Sequence, residues 1–327
     1  MSGLYIMQKK PKFLIAAPTY DETSGGCVAL HRLCHLLNNI TEAYVVPNPS
    51  AKIVDWLHHG GIDQVVQSQK NDVQAFKTCP DLNTPLFTNK DPDINSFVAV
   101  YPEITLGNPF ESTHVARWIL YHSGYHNGIN CISKGEVEFK FNKKFTGSVI
   151  ENFNYASDLE LRVLMPNKNE LSMLQNNCTF SKESLLKDRT GTAYCIRKGR
   201  FRPHELVSEN SICIDGKSME EIYEIFQKVK YFVSYDPDTY FSTIAVAYGC
   251  YSLIVEPEKP NNVTGIWGEQ FENEPWIATR SDQLDQSWDS RKLLLQKFET
   301  SLSETMSNVE NFYNFWLEKV NYNPLKS

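Results

Sequence analysis

The sequence predicts an α/β protein in which parallel strands alternate with helices. The first sign is a set of short, continuous apolar runs, such as residues 12–18, KFLIAAP, and residues 97–101, FVAVY. Runs of this kind are typical of strands that a parallel sheet buries on both faces. The second sign is that a loop and then a stretch with helical spacing follow many of these runs. Since this order recurs in both halves of the chain, it favours helices packed against parallel sheets.

The N-terminal half contains both kinds of element. Its continuous apolar runs predict strands, and stretches with apolar residues at helical spacing predict helices. In chain order the expected elements are a strand at 12–18, a helix at 27–37, a strand at 43–47, a short helix at 54–59, a strand at 97–101 and an amphipathic helix at 114–120.

The C-terminal half restarts the same pattern. Ser218 is expected to cap the helix that begins at Met219, and Gly249 is expected to end the helix that begins at Asp238. The expected strands are 161–164, 192–196, 231–235 and 251–255, and the expected helices are 219–229, 238–248 and 289–320.

The length of the chain predicts two lobes. A chain of 327 residues is longer than one ordinary core accommodates, and two lobes of about 150 residues each suit it. The predicted N-terminal lobe is 1–152 and the predicted C-terminal lobe is 153–298, with their boundary in the polar stretch 147–158. Residues 299–327 continue the last helix, which is long and amphipathic.

Charge and hydropathy exclude several classes of protein. The net charge of −7 and a pI near 5.7 describe an acidic surface that repels nucleic acid, so no nucleic-acid partner is expected. No apolar stretch is long enough for a membrane-spanning helix or a signal peptide, which predicts a cytoplasmic protein. A peripheral contact with the inner face of a membrane stays open because of two small basic groups, Lys9, Lys10 and Lys12, and Lys140, Lys143 and Lys144.

Neither the cysteines nor the acidic residues form a pattern typical of a metal centre. The eight cysteines include no pair with C-x-x-C spacing, so reduced thiols are expected. Asp91 and Asp93 have the spacing of a metal-binding pair, but they lie in a polar loop rather than at a strand end. We therefore expect no metal ion.

Residues 231–255 combine the features of an anion-binding site. A buried strand ends at Tyr235 and Asp236, and a helix is expected to begin at Asp238 and Thr239. A helix N-terminus just beyond a strand end presents free backbone N–H groups and the positive end of the helix dipole, which suit phosphate. Thr239 adds a hydroxyl donor. Asp238 has the alternative role of a helix cap.

A basic turn follows the strand predicted at 192–196. Arg197, Lys198 and Gly199 stand at the end of that strand, upstream of the segment just described. An Arg guanidinium offers a planar fork of donors and a Lys ammonium offers a mobile point charge, and both suit phosphate. An ordinary surface turn is the alternative, but the position at a strand end favours phosphate binding.

Together the two segments resemble the donor-binding region of glycosyltransferases with the GT-B fold. The resemblance implies two Rossmann-like lobes with a cleft between them and a last helix that crosses back to the N-terminal lobe. Many retaining members carry two glutamates here, and matching the glycine of the family to Gly249 puts Asp236 and Ile244 at their positions. The missing second carboxylate favours an inverting reaction. The implied donor-binding residues are Arg197, Lys198, Gly199, Tyr235, Asp236, Asp238 and Thr239.

A second loop with ligand-binding features lies in the N-terminal half. Gly25 and Gly26 follow the first strand, where glycine lets the backbone approach a ligand closely, and the resemblance implies that this loop faces the cleft. An inverting reaction also needs a general base on this side, and carboxylates and histidines suit that role. The candidates are Glu103, which directly follows a predicted strand, then Asp21 and His31, and further Glu22 and His122.

The expected function is transfer of a sugar from a nucleotide-sugar donor to a carbohydrate or lipid-linked glycan, in the biosynthesis of surface polysaccharide or other glycans. The donor is itself a substrate, so no cofactor is required, and enzymes of this fold typically need no metal. Two alternatives stay open: a sugar-nucleotide epimerase of the same fold, and a non-catalytic protein that binds a sugar or a nucleotide.

Overall fold

The computed structural model describes residues 9–47, 76–88, 97–125, 135–143, 145, 159–164, 166–256 and 274–321. The chain divides into two compact units, Met1–Leu164 with Ser303–Ser327, and Met165–Leu302. The boundary predicted within 147–158 lies outside the described residues, as does the short helix predicted at 54–59. Among the described helices, none is long and apolar enough to cross a membrane.

The first unit is built on a five-stranded parallel sheet in the order β2-β1-β3-β4-β5. The continuous apolar runs of the sequence form its inner strands, because these strands are buried along nearly their whole length. The strands are β1 Lys12–Ala17, β2 Ala43–Pro47, β3 Phe97–Pro102, β4 His114–Ile119 and β5 Val137–Lys140, and helix α1, Gly25–Leu37, connects β1 to β2.

The second unit contains a four-stranded parallel sheet in the order β7-β6-β8-β9. Capping boxes at Asn167 and Ser218 begin two of its helices. Its strands are β6 Thr192–Cys195, β7 Ile212–Cys213, β8 Tyr231–Ser234 and β9 Tyr251–Ile254. Its helices are α2 Lys168–Asn177, α3 Lys182–Leu186, α4 Met219–Lys228, α5 Phe241–Ala247 and α6 Leu284–Asp289.

The last helix, α7, Arg291–Asn321, takes part in both units. Its first part belongs to the second unit, where Phe298 lies in the hydrophobic core. From Ser303 on it belongs to the first unit, where Phe312 and Trp316 are buried. Successive portions of one helix therefore contribute apolar side chains to two cores.

Residues 114–120 contain strand β4, so the amphipathic helix predicted there is wrong. Arg117 and Trp118 are adjacent and both fully buried, as expected for a strand whose neighbouring side chains point to opposite, covered faces. Trp118 donates its Nε1–H to the carbonyl of Leu161 at 2.9 Å, and Arg117 is bound to Glu136. Because the charged Arg117 is part of this strand, its sequence has the polar spacing that is typical of a surface helix, although Glu136 binds that charge in the interior.

Other elements differ from the predictions in their bounds. Residues 161–164 run as irregular chain, attached to the end of β5 by the N–H of Leu161, which donates to the carbonyl of Lys140 at 2.8 Å. Helix α5 begins at Phe241 instead of Asp238. Of the elements that the sequence did not predict, β5, β7, α3 and α6 are short, and short elements give weak periodicity. Helix α2 is longer, but two of its three buried residues, Glu170 and Asn177, are polar, so it shows no apolar stripe.

Candidate functional site

The candidate site lies at the carboxyl edge of the second sheet. From β6 the chain continues to β7 on one side and then to β8 on the other. Open α/β sheets bind ligands at such a switch point, in the crevice outside the carboxyl ends of the strands. The loop after β6, residues 196–202, is called the β6 loop, and the loop after β8, residues 235–240, is called the β8 loop. They carry the residues predicted to bind the donor, Arg197, Lys198, Gly199, Tyr235, Asp236, Asp238 and Thr239.

Gly199 brings the two loops into direct contact. A Cβ atom on Gly199 would overlap the backbone carbonyl of Tyr235. The N–H of Gly199 closes a turn by donating to the carbonyl of Ile196 at 2.7 Å. Only glycine fits this close approach, so the position of the basic turn against the β8 loop depends on it.

Asp215, just after β7, holds the backbone of the β6 loop. Its Oδ2 accepts the N–H of Ile196 at 2.8 Å and the N–H of Arg197 at 3.2 Å. Arg197 has a φ of +42°, which is uncommon for a residue with a long side chain, and such strained residues cluster at ligand sites. Its exposed guanidinium lies 5.0 Å from the ring centroid of Phe241. Asp215 was missed from the sequence because the two-residue β7 gives too short an apolar run.

Lys198 and Asp236 form an ion pair between the two loops, with Nζ 3.8 Å from Oδ2. Asp236 is fully buried, whereas the side chain of Lys198 is 27% exposed. Oδ1 of Asp236 accepts the N–H of Asp238 at 3.0 Å, and Oδ2 lacks a hydrogen bond of good geometry within the described chain. Burial raises the pKa of Asp236, and the Lys198 ammonium lowers it in part. The pair therefore offers a cation that reaches solvent beside a buried acceptor.

The β8 loop closes a turn before helix α5 begins. Besides binding the N–H of Asp238, Asp236 accepts the N–H of Thr239 at its carbonyl, at 3.5 Å. Thr239 in turn accepts the N–H of Phe241 at its hydroxyl oxygen, at 3.4 Å. The prediction that a helix opens at Asp238 and Thr239 is therefore wrong, because the turn uses these groups. The positive charge at this edge comes from the two basic side chains of the β6 loop.

A polar cluster beside the β8 loop was also missed from the sequence. Glu170, on the short and polar helix α2, is buried and accepts the hydroxyls of Tyr223 at 3.1 Å and Tyr240 at 3.2 Å. It also completes the capping box with Asn167. Because Tyr240 is the last residue of the β8 loop, Glu170 ties that loop to helices α2 and α4.

We expect Asp236→Asn to stabilise the second unit at neutral pH. The raised pKa of Asp236 means that the folded protein binds a proton there more tightly than the unfolded chain does. Its contribution to stability therefore falls as the pH rises from about 3.9, the ordinary pKa of Asp, through the raised value. Near pH 7 the variant should therefore have a higher free energy of unfolding than wild type.

Urea unfolding of both proteins between pH 4 and pH 8 measures this effect. The difference in free energy of unfolding should shrink toward pH 4, where the wild-type carboxyl is protonated. If the variant were less stable than wild type, and most so at high pH, the ion pair with Lys198 would outweigh the burial of the carboxylate.

At the carboxyl edge of the first sheet, Gly26 and Glu103 both lie next to Leu120. The strand order places a switch point at β1 and β3, and the two loops follow these strands. A Cβ on Gly26 would lie 3.6 Å from Cδ1 of Leu120, and the N–H of Leu120 donates to Oε2 of Glu103 at 2.9 Å. A Cβ on Gly25 would meet no described atom within 4 Å. Glu103 is 5% exposed, so its carboxylate serves as a buried acceptor.

Asp21 and His31 both support the loop after β1. Oδ1 of the exposed Asp21 accepts the N–H of Thr23 at 2.9 Å and its hydroxyl at 2.7 Å. His31 is fully buried, with Nε2 placed 2.9 Å from the carbonyl of Pro18, to which it donates. Burial lowers the pKa of His31, so its ring is neutral at physiological pH. Of the predicted bases, Asp21 and Glu22 are exposed to solvent, whereas Glu103, His31 and His122 are buried.

Comparison with known proteins adds no relative. No protein-family model matches this chain, and neither a curated protein nor a solved structure matches it. Within the described part of the chain, no group of three or more His, Cys, Asp or Glu side chains is arranged to hold a metal ion. A function for this chain is therefore inferred from the geometry of the two sheet edges and from the sequence pattern.

Proposed function

We propose that this chain is a glycosyltransferase that uses a nucleotide-sugar donor and binds its diphosphate at the carboxyl edge of the second sheet. The observation that carries the proposal is the pair of basic residues, Arg197 and Lys198, in the loop that leaves β6 at the switch point. In a chain with a net charge of −7, adjacent cations at the ligand-binding edge of a parallel sheet favour an anion. Both side chains suit charge-assisted hydrogen bonds to phosphate.

The backbone of the β6 loop supports this proposal because contacts within the protein already hold it. Asp215 binds two successive amides of the loop, and Gly199 packs against the carbonyl of Tyr235. A site whose backbone is ordered in advance loses less entropy when it binds a ligand. The exposed ends of the two basic side chains are then the parts that adjust to the phosphates.

The choice of glycosyl transfer among nucleotide-dependent functions follows from the resemblance of residues 194–199 and 231–255 to the donor-binding region of GT-B-fold glycosyltransferases. Ile244, at the position of the second glutamate of that family, is 2% exposed and lies in the hydrophobic core. A carboxylate there would be buried without charge compensation. This supports an inverting reaction that does not use a carboxylate at this position.

The proposed acceptor is a glycan or a lipid-linked glycan, whose hydroxyl a general base deprotonates during an inverting transfer. Glu103, Asp21 and His31 remain the candidates, and the exposure of Asp21 favours it over the two buried groups. Transfer of labelled sugar, with the anomeric configuration of the product, tests the reaction. A product that retains the configuration of the donor would contradict the inverting scheme and direct attention to Asp236.

A non-catalytic nucleotide-binding protein is the second candidate function. The observation that favours it is that Glu103 and His31 are both buried and hydrogen-bonded, which leaves them poorly placed to meet a substrate hydroxyl. Incubation with nucleotide sugars separates the two candidates. An enzyme transfers the sugar or slowly hydrolyses the donor, whereas a binding protein leaves the donor intact.

We expect Arg197→Ala and Lys198→Ala each to weaken binding of a nucleoside diphosphate about tenfold or more. A hydrogen bond to a charged group contributes roughly 1.5–3 kcal/mol, and neither side chain is part of a core. A thermal-shift screen identifies the nucleoside diphosphate that stabilises the protein, and calorimetric titration then gives its dissociation constant for each variant.

Lys228→Ala is the matched control, since this exposed lysine at the end of α4 lies at the opposite edge of the same sheet. Its dissociation constant should equal that of wild type. Wild-type affinity in both the Arg197 and the Lys198 variant would remove the diphosphate site from the β6 loop.

A further inference from the structure

Phe201 is an exposed aromatic residue at the end of the β6 loop. The residue is 53% exposed, and it stands three residues after Lys198, which limits the separation of their Cα atoms to roughly 11 Å. The same ring lies 5.2 Å from the ring of Tyr235 and 6.0 Å from the ring of Tyr194. One side of Phe201 is therefore packed on two tyrosines while the rest faces outward.

The residues behind Phe201 are held by hydrogen bonds and packing. The hydroxyl of Tyr235 donates to the carbonyl of Arg202 at 2.6 Å, and the guanidinium of Arg202 donates to the carbonyl of Val255 at 3.3 Å and to that of Glu256. On the other side of Phe201, Gly199 packs against the backbone of Tyr235. The loop is thus anchored both before and after the exposed ring.

We propose that the outward face of Phe201 is the stacking platform for the nucleobase of a nucleoside diphosphate whose phosphates bind Arg197 and Lys198. This inference rests on the proposed function and assigns a binding site to the nucleobase, which is the other end of the same ligand. Bases stack on aromatic side chains because both have flat π-faces, and this contact tolerates different bases. A cationic turn followed at short range by a supported, exposed ring matches the two ends of a nucleotide, a charged diphosphate and a flat base.

The geometry favours a nucleotide over an inorganic anion. Phosphate or pyrophosphate would use the two cations and leave the ring exposed to water, whereas a nucleoside diphosphate covers it. A packed aromatic ring is also held in place already, so little conformational entropy is lost when a base stacks on it. Selectivity for nucleoside diphosphates over pyrophosphate is the property that Phe201 should provide.

The test compares two kinds of ligand, pyrophosphate and nucleoside diphosphates, on the intact protein. Calorimetric titrations with inorganic pyrophosphate and with ADP, GDP, CDP and UDP are made on wild type, Phe201→Ala and Phe201→Trp. We expect Phe201→Ala to weaken the best nucleoside diphosphate about tenfold and to leave pyrophosphate unchanged. Phe201→Trp keeps a flat ring and should retain nucleotide affinity. Phe180→Ala, which removes an equally exposed ring between α2 and α3 of the same unit, is the matched control and should change neither ligand.

The outcomes separate this inference from the proposed function. If wild type binds pyrophosphate and nucleoside diphosphates equally well, or if Phe201→Ala weakens both by the same factor, the stacking platform is overturned while the anion site stands. If Phe201→Ala changes neither, the platform is likewise overturned. If wild type binds none of these ligands, the proposed function fails, and the inference that rests on it fails as well.

Discussion

Phe312→Ala is expected to destabilise the first unit by about 3–5 kcal/mol. The side chain is 2% exposed, and its ring lies 5.3 Å from the ring of Phe13 in β1 and 4.8 Å from the ring of Phe139 in β5. Truncation would leave a cavity between helix α7 and two strands of the sheet. The loss combines the transfer free energy of a phenyl group with the cost of that cavity, because neighbouring rings fill such a space only in part.

Because the chain has two units, unfolding need not be a single transition. Hydrogen exchange of peptides from β1 and β5, measured alongside urea unfolding, assigns the loss to the first unit. Leu302→Ala on the same helix is the control, since Leu302 is 51% exposed and should change stability by no more than roughly 0.5 kcal/mol. Unchanged protection of β1 and β5 in Phe312→Ala would mean that α7 is not part of the core of the first unit.

Strands with continuous apolar sequences were the most predictable part of this fold. Strands β1, β3 and β8 are buried on both faces, so almost every residue must be apolar, and that pattern is visible without a structure. Helix α4 was predictable for a local reason as well, because Ser218 and Glu221 form its capping box within one turn.

Strand β4 could not be predicted in this way because its pattern depends on a distant residue. Arg117 is tolerated in a buried strand because Glu136 compensates its charge. Glu136 is distant in the sequence, so the run alone shows a charge without its partner. That pattern is typical of a solvent-exposed helix face, and the prediction was therefore wrong. The same ambiguity arises wherever a buried charge is paired outside its own segment.

The candidate site was predictable in its parts but not in its geometry. Parallel strands end at the same edge, so residues that follow β6 and β8, such as Lys198 and Asp236, could be expected to meet. The contact of Asp215 with the amides of the β6 loop could not, because it depends on how a two-residue strand pairs with β6. The exposure of Phe201 is equally a product of packing, since the sequence does not show which face of a loop residue is covered.

Arg117→Met is expected to destabilise the first unit by about 3–5 kcal/mol. Arg117 is fully buried, and its Nε–H and Nη2–H donate to the two oxygens of Glu136, each at 2.9 Å. Further N–H groups of the guanidinium donate to the carbonyls of Pro102 at 3.4 Å, Thr105 at 2.5 Å and Gly107 at 2.7 Å. A methionine fills much of the space but supplies none of these donors, so a buried carboxylate and buried carbonyls lose their partners.

Two further variants show whether the buried charge causes the loss. Adding Glu136→Gln to Arg117→Met should recover part of the stability, because the unpaired carboxylate is then neutral. Arg280→Met breaks an exposed pair with Asp282 and should cost no more than about 1 kcal/mol. Urea unfolding of the single and double variants measures the coupling. Were Arg117→Met as stable as wild type, or the double variant less stable than the single one, the unpaired charge of Glu136 would not be the cause of the loss.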